Sequence, residues 1–200
     1  MLYSVRVIAG IYRSRPLIAP PGLATRPTSD RLRETLFNVL GPRVAGASFA
    51  DLYAGSGAVG IEALSRGARH ATLVERAQPA LQTIHANLTS LGIRSGVRVE
   101  SVSVLAWCRR AAAGSLDLVF LDPPYDAMEE YEAVLAAAGA LLAPDGLLVA
   151  EHRRKDALAE SYGTLRRTRV LPQGDAALSF YALLRDDRSS DEDDPPPDGE

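Results

Sequence analysis

The sequence predicts a doubly wound α/β fold, built on a mostly parallel seven-stranded sheet that finishes in an antiparallel hairpin. From Ser48 onward, short apolar strands alternate with amphipathic helices, the rhythm of a parallel sheet covered on both faces. Directly after the first of these strands comes the glycine-rich stretch "DLYAGSGAVG", residues 51–60. In open sheets of this kind, ligands bind there, beyond the carboxyl ends of the strands. The third observation is at the end of the chain, where two strands joined only by "PQGD" read as an antiparallel hairpin.

The elements follow in order. Tyr3 to Ala9 and Arg15 to Ala19 are strand-like, with Gly10 near the turn, and make a small N-terminal hairpin. The proline-punctuated "APPGLATRPTSD" is a loop. A helix begins near Asp30, capped by Thr28 or Ser29, with Leu32, Leu36, Val39 and Leu40 as its buried stripe, and Gly41-Pro42 ends it. Strands are expected over Ser48–Tyr53, His70–Glu75, Val97–Val102, Leu116–Asp122 and Gly146–Glu151. Helices are expected near Val59–Arg66, Pro79–Leu91, Val104–Ala113 and Glu129–Leu142, and the last two strands over Gly163–Leu171 and Ala177–Leu184. The expected organisation is an N-terminal hairpin and helix extension (1–45), a main domain (46–185) and a disordered acidic tail (186–200).

Hydrophobic content of 46% and charged content of 24% fit an ordinary globular protein. The single cysteine, Cys108, excludes an internal disulfide and a multi-cysteine zinc site and suits a reducing cytoplasm. The N-terminus offers neither a signal-peptide core nor a membrane span. The histidines, His70, His85 and His152, are scattered without metal spacing, so no metal is expected. The tail carries eight acids against Arg188; its net −7 leaves +4 on residues 1–185, out of −3 overall. The first fifty residues hold seven arginines against two acids, which suits a polyanion but equally a solvated surface. Lys155 is the only lysine among 22 basic residues.

Gly55 to Gly60 spells GxGxxG, the fingerprint of a dinucleotide turn, but any cofactor close to a strand-to-helix turn needs the same glycines. Gly55 and Gly57 let the backbone approach a ligand, and the helix start supplies free amides. Glu75, ending the second strand of the alternation, can accept hydrogen bonds from ribose hydroxyls. Asp51 would repel a pyrophosphate and attract a cationic amino-acid end, or simply brace the turn. The decisive stretch is Asp122-Pro123-Pro124-Tyr125 at the end of the fourth strand. Two prolines fix an extended backbone, so that the Asp122 carboxylate and Pro123 carbonyl can accept both N–H bonds of a planar amine while Tyr125 stacks on its ring. Trp107 and Cys108 read as core. Glu151 could approach the cleft but reads mainly as structural.

With those residues in hand, the chain resembles a known family. Asp122–Tyr125 matches the [DNS]-P-P-[YFW] motif of amino-directed S-adenosylmethionine methyltransferases. Residues 6–40, "RVIAGIYRSRPLIAPPGLATRPTSDRLRETLFNVL", resemble the RsmD branch, which methylates a guanine exocyclic amine in bacterial 16S ribosomal RNA. The likeness spans roughly residues 5 to 184. It implies a Rossmann-like methyltransferase fold with S-adenosylmethionine held by Asp51, Gly55, Gly57 and Glu75, and with Asp122, Pro123 and Tyr125 on the target base. Arg26 and Thr28, in the Thr25–Thr28 segment, would help close the cofactor pocket. Many relatives place an acid or amide against the adenine; this chain has Ser101 and Ser103 there, which makes Ser103 the candidate. Arg13, Arg15 and Arg33 would contact RNA phosphates, the partner being 16S ribosomal RNA or an assembling small subunit. Two other readings stay open: a methyltransferase for DNA adenine or protein glutamine, and a non-catalytic RNA-binding relative.

Overall fold

In the computed structural model, residues 5–20, 30–124 and 128–184 are described. Arg26, Thr28, Tyr125 and the acidic tail therefore lie outside the described residues. Two short strands, β1 (Val5–Arg6) and β2 (Pro16–Leu17), pair antiparallel, and α1 (Asp30–Leu40) follows. The alternating part runs β3 (Ser48–Leu52), α2 (Ala58–Ser65), β4 (His70–Glu75), α3 (Gln78–Leu91), β5 (Val97–Ser101), α4 (Val104–Cys108), β6 (Leu116–Leu121), α5 (Met128–Ala138) and β7 (Leu142–Arg153). Three antiparallel strands complete it: β8 (Ser161–Tyr162), β9 (Leu165–Gln173) and β10 (Ala176–Leu183).

The large sheet has the order β5-β4-β3-β6-β7-β10-β9-β8, and β3 to β7 are parallel. It holds eight strands where the sequence predicts seven. The eighth, Ser161–Tyr162, is two residues long and partly exposed, too short to leave an alternation in the sequence. The chain leaves β3 toward β4 on one side and returns to β6 on the other, so the switch point lies between β3 and β6.

Side chains of the central strands alternate between two layers. Phe49 joins Leu36, Phe37 and Leu40 of α1 and Ala63 of α2, whereas Ala50 and Leu52 join Trp107 of α4 and Val134 of α5. Trp107 and Cys108 are core, as expected, and burial pushes the thiol up to about 11. Val39 is only partly buried; Phe37 takes its place in the stripe.

Two helices end earlier than the periodicity predicts. After Cys108 the chain meets exposed Arg109, Arg110 and Ala112 to Ser115, which offer no apolar face to continue α4. Near the end of α5, a Cβ on Gly139 would stand 2.5 Å from Thr164 Oγ1. The helix there tightens into a single turn, Gly139–Leu141, and β7 starts at Leu142. Leu142 pairs with Leu116 and Leu147 with Leu118, so residues 143–146 bulge out of register.

The N-terminal hairpin lies along α2. Ile8 and Ala9 donate their N–H groups to the buried Glu62 carboxylate at 2.7 and 2.9 Å, and Ile11 N–H reaches Ser65 O at 2.9 Å. Gly10 sits so close that a Cβ would fall 1.8 Å from Ser65 O. No other residue fits there.

Candidate active site

Parallel register brings the functional positions to one edge. Leu52 pairs with Val74 and Leu121, Glu75 pairs with Ser101, and Leu121 pairs with Ala150. The row beyond therefore runs Ser101, Glu75, Tyr53, Asp122, Glu151 along the carboxyl edge of the sheet. Asp122 N–H donates to Leu52 O at 3.3 Å, tying the β6 turn to the end of β3.

The glycine turn is braced from three elements. Asp51, 2% exposed inside β3, accepts the Gly60 N–H at 2.9 Å. Glu75 accepts Gly55 N–H at 3.0 Å through one oxygen and the Arg76 and Ala77 N–H groups, both at 2.8 Å, through the other. Asn87 of α3, fully buried, donates to Ser56 O at 3.0 Å. It also exchanges bonds with Ile18, accepting from its N–H at 2.8 Å and donating to its carbonyl at 3.0 Å. Gly55 and Gly57 have φ of 56° and 77°, and Gly57 opens α2. Gly60 is required for another reason: a Cβ there would lie 2.0 Å from Leu73 Cδ2.

Burial raises Asp51 to about 7, against the lowering pull of the Gly60 amide. Near neutral pH this carboxyl is thus poised between its two forms, and it braces the turn from below. A shallow cavity opens beside the turn, lined by Tyr53, Glu75, Val102, Ser103, Leu105 and Glu130 among others. Glu75 and Ser103, both expected from the sequence, share its wall; Ser103 also caps α4, its Oγ accepting from Ala106 N–H at 3.3 Å. Burial and the nearby Glu130 push the Tyr53 hydroxyl above its ordinary pKa. Sequence reasoning missed Tyr53, Glu130 and Asn87. Tyr53 stands inside the glycine stretch and was recoverable from its position after a strand; Glu130 and Asn87 carry no local signal.

On the other side of the switch point, Asp122 is partly exposed and Pro123 buried. The arginine-rich front resolves into separate places. Arg33 is not on the surface: its side chain is 0% exposed, donating to Asp30 Oδ1 at 2.9 Å and to Arg6 O, with Nε 3.9 Å from Glu62. Desolvation lowers its pKa. A phosphate cannot reach it, so the expected RNA contact at Arg33 is withdrawn. Arg13 and Arg15 are exposed, but the hairpin tip is fastened at Ser65, the far end of α2 from the glycine turn. Eight residues of helix separate the two ends by about 12 Å, so Arg13 is not brought together with Asp122. Glu151 is buried beside Asp122's strand, its carbonyl accepting the Tyr131 hydroxyl at 2.6 Å.

A doubly wound sheet with a braced glycine turn at its switch point and Asp-Pro-Pro on the adjoining strand defines a Rossmann-like methyltransferase. Comparison with known proteins carries this to a family. The family model described as "Conserved hypothetical protein 95" matches residues 5–182. The chain belongs to this family, the RsmD methyltransferases. It is 38% identical over 181 residues to YlbH of Bacillus subtilis, a protein named as a candidate rRNA methyltransferase, covering 88% of this chain and 98% of that one. It is 40% identical over 121 residues, 60% of each chain, to the ribosomal RNA small subunit methyltransferase D of Escherichia coli strain K12. Among solved structures it is similar to a candidate methyltransferase, yhhF, from Escherichia coli, with a TM-score of 0.76 and 33% identity over 90% of this chain and 98% of that one.

Proposed function

We propose that this chain is an S-adenosylmethionine-dependent enzyme that methylates the exocyclic N2 amine of a guanine in small-subunit ribosomal RNA. The single observation that carries the reading is the adjacency of two turns on one sheet edge: a cavity beside the glycine turn, and Asp122-Pro123 across the switch point from it. The relatives' names supply the RNA.

The cavity suits the methyl donor chemically. Val102 and Leu105 offer apolar walls for a heterocycle, while Glu75 and Ser103 offer acceptors at its rim. Three backbone N–H groups hold the Glu75 carboxylate, which leaves part of its accepting capacity for a ribose hydroxyl. When bound, S-adenosylmethionine supplies an electrophilic methyl group on a sulfonium. Gly55 and Gly57 allow close backbone approach, Asp51 beneath them favours a positive neighbour, and Arg26 and Thr28 would close the pocket.

Asp122 and the Pro123 carbonyl accept the two N–H bonds of the guanine amine, and Tyr125 stacks on the ring. An exocyclic amine is a weak nucleophile because its lone pair is delocalised into the base. Hydrogen bonds that turn the nitrogen toward tetrahedral geometry aim that pair outward, and holding the reacting atoms in line supplies much of the rate. The Asp122 carboxylate is the acceptor that holds the amine's surplus proton as the new N–C bond forms. The target is an unpaired or readily unpaired guanine, since a paired one hides its amine. Arg13 and Arg15 would meet RNA away from that base. Among the described residues no helix is long and apolar enough to cross a membrane, which accords with a cytoplasmic task.

The test is to methylate undermethylated small ribosomal subunits with tritiated donor, then map the methyl group by nuclease digestion and mass spectrometry. One N2-methylguanine in the small-subunit RNA is the expected result. Methylated adenine, or label only in protein, would sink the reading.

A further inference from the structure

Arg33 is buried and Arg13 sits at the far end of α2, so neither cation lies at the carboxyl edge. A different set does. Resting on the ribosomal RNA reading above, we infer that the turn after β7, carrying Arg154 and Lys155, grips the phosphodiester backbone of the substrate next to the target nucleotide.

Position comes first. The cavity takes up the β4–β5 side of the switch point, and Glu130 of α5 stands in its wall. A base must therefore come to Asp122 from the β7–β10 side. Register sets Asp122 beside Glu151, since Leu121 pairs with Ala150. Arg154 lies three residues further along the same strand direction, about 10 Å beyond at ordinary strand rise. That is the neighbourhood of the phosphates flanking a nucleotide seated at Asp122.

The turn is also built to hold still. Arg153 pairs with Ala176 of β10, Arg154 N–H donates to Asp175 O at 2.8 Å, and Asp156 N–H donates to Arg153 O at 3.0 Å. Buried His152 fixes it from below: Nδ1 is 2.9 Å from Arg153 O and Nε2 2.9 Å from Ser179 Oγ. A carbonyl can only accept, so Nδ1 carries the proton and Nε2 accepts from the Ser179 hydroxyl. Burial disfavours the imidazolium, which agrees with that neutral tautomer.

Above this fixed backbone the charges are exposed. Arg154 and Lys155 are open to solvent, and neither forms an ion pair among the described residues. Asp156 follows them in the same turn, and Asp175, whose carbonyl accepts the Arg154 N–H, lies in the facing turn. Unpaired cations on a rigid support next to a catalytic edge suit a polyanion, whose condensed counterions they displace.

The test compares Arg154→Gln/Lys155→Gln with Arg109→Gln/Arg166→Gln, a control that removes equal charge from exposed positions elsewhere. Binding to undermethylated small ribosomal subunits is measured from about 50 to 200 mM salt, together with KM and kcat for methyl transfer. The turn variant should lower the log–log salt slope by about 1.4–1.8, the loss of two phosphate contacts, and raise KM for the subunit. Its kcat at saturation, its melting temperature and its affinity for S-adenosylhomocysteine should match the wild type, and the control should match it throughout. A wild-type slope and KM in the turn variant, or an equal change in the control, overturns the proposal while leaving the ribosomal RNA reading intact. If the wild-type protein transfers no methyl group to the RNA, both fall.

Discussion

The turn after β3 and the turn after β6 lie side by side, joined by the hydrogen bond from Asp122 N–H to Leu52 O, yet they are held in different ways. The β3 turn is braced by side chains from three elements, Asp51, Glu75 and Asn87, each bonded to its backbone. The β6 turn gets its stiffness from covalent structure, Pro123 and Pro124, which have no N–H to satisfy and little freedom to lose. A braced turn mixes support and binding in the same atoms. A proline-stiffened one draws its rigidity from its rings. Substitutions in the two turns should accordingly fail in different ways.

The sharpest contrast is expected at Asp122. Asp122→Ala should lower kcat at least about a hundredfold, the usual scale for losing one transition-state hydrogen-bonding group, with melting temperature and S-adenosylhomocysteine affinity nearly unchanged. Single-turnover assays and calorimetry measure the two halves, and wild-type turnover in a folded variant would remove the amine-gripping role.

In the braced turn, Gly60→Ala should destabilise the protein by about 1–3 kcal/mol, because its methyl would overlap Leu73. Urea unfolding would detect this, and cofactor affinity should drop with stability. Glu75→Ala should weaken S-adenosylhomocysteine binding by about 1–3 kcal/mol. Unlike Asp122→Ala it should also lower the melting temperature, since three backbone N–H groups lose their acceptor. A Glu75→Ala variant with full stability would mean that the bracing is dispensable.

The most gradual effect concerns pH. Asp51 has a folded pKa of about 7 against 3.8 when unconstrained, so between these values the native state holds the proton more tightly than the unfolded chain. Its contribution to stability is full below about pH 4, falls as pH rises, and levels off above 7. Asp51→Asn, which keeps an acceptor for Gly60, should remove that decline, at most about 1.4 kcal/mol per pH unit. Urea unfolding of both proteins from pH 4 to 8 compares them; parallel curves would show that Asp51 does not titrate in this range.

Much of the architecture was legible because it is written in local pattern. Strand–helix alternation gave the layers, and the glycine stretch with Asp122-Pro123 gave the edge on which the site lies. Depth was harder to read. Arg33 looked like part of a basic surface because composition counts charge without regard to burial. Its spacing to Phe37 and Leu40, four and seven residues on, sets it on the inward stripe of α1, and that spacing was the available signal. The distance of Arg13 from Asp122 is hidden for another reason: a hairpin's direction across the sheet depends on distant partners such as Glu62 and Ser65, which no local pattern reports. The cavity wall is legible at Glu75 and Ser103, which end or follow strands, and illegible at Glu130, which arrives from the fourth helix after the glycine turn.

All eight residues of α2 are buried. A surface helix has an outward side on which letters can drift with little penalty, and α2 has none. Gly60 is pressed against β4, Ile61 and Ala63 fill the two cores on that face, and Glu62 and Ser65 hold the N-terminal hairpin. Its sequence "AVGIEALS" therefore answers to three neighbours at once. In a library randomised across the whole chain, this stretch should emerge with the fewest tolerated letters per position, narrower even than the strands beneath it.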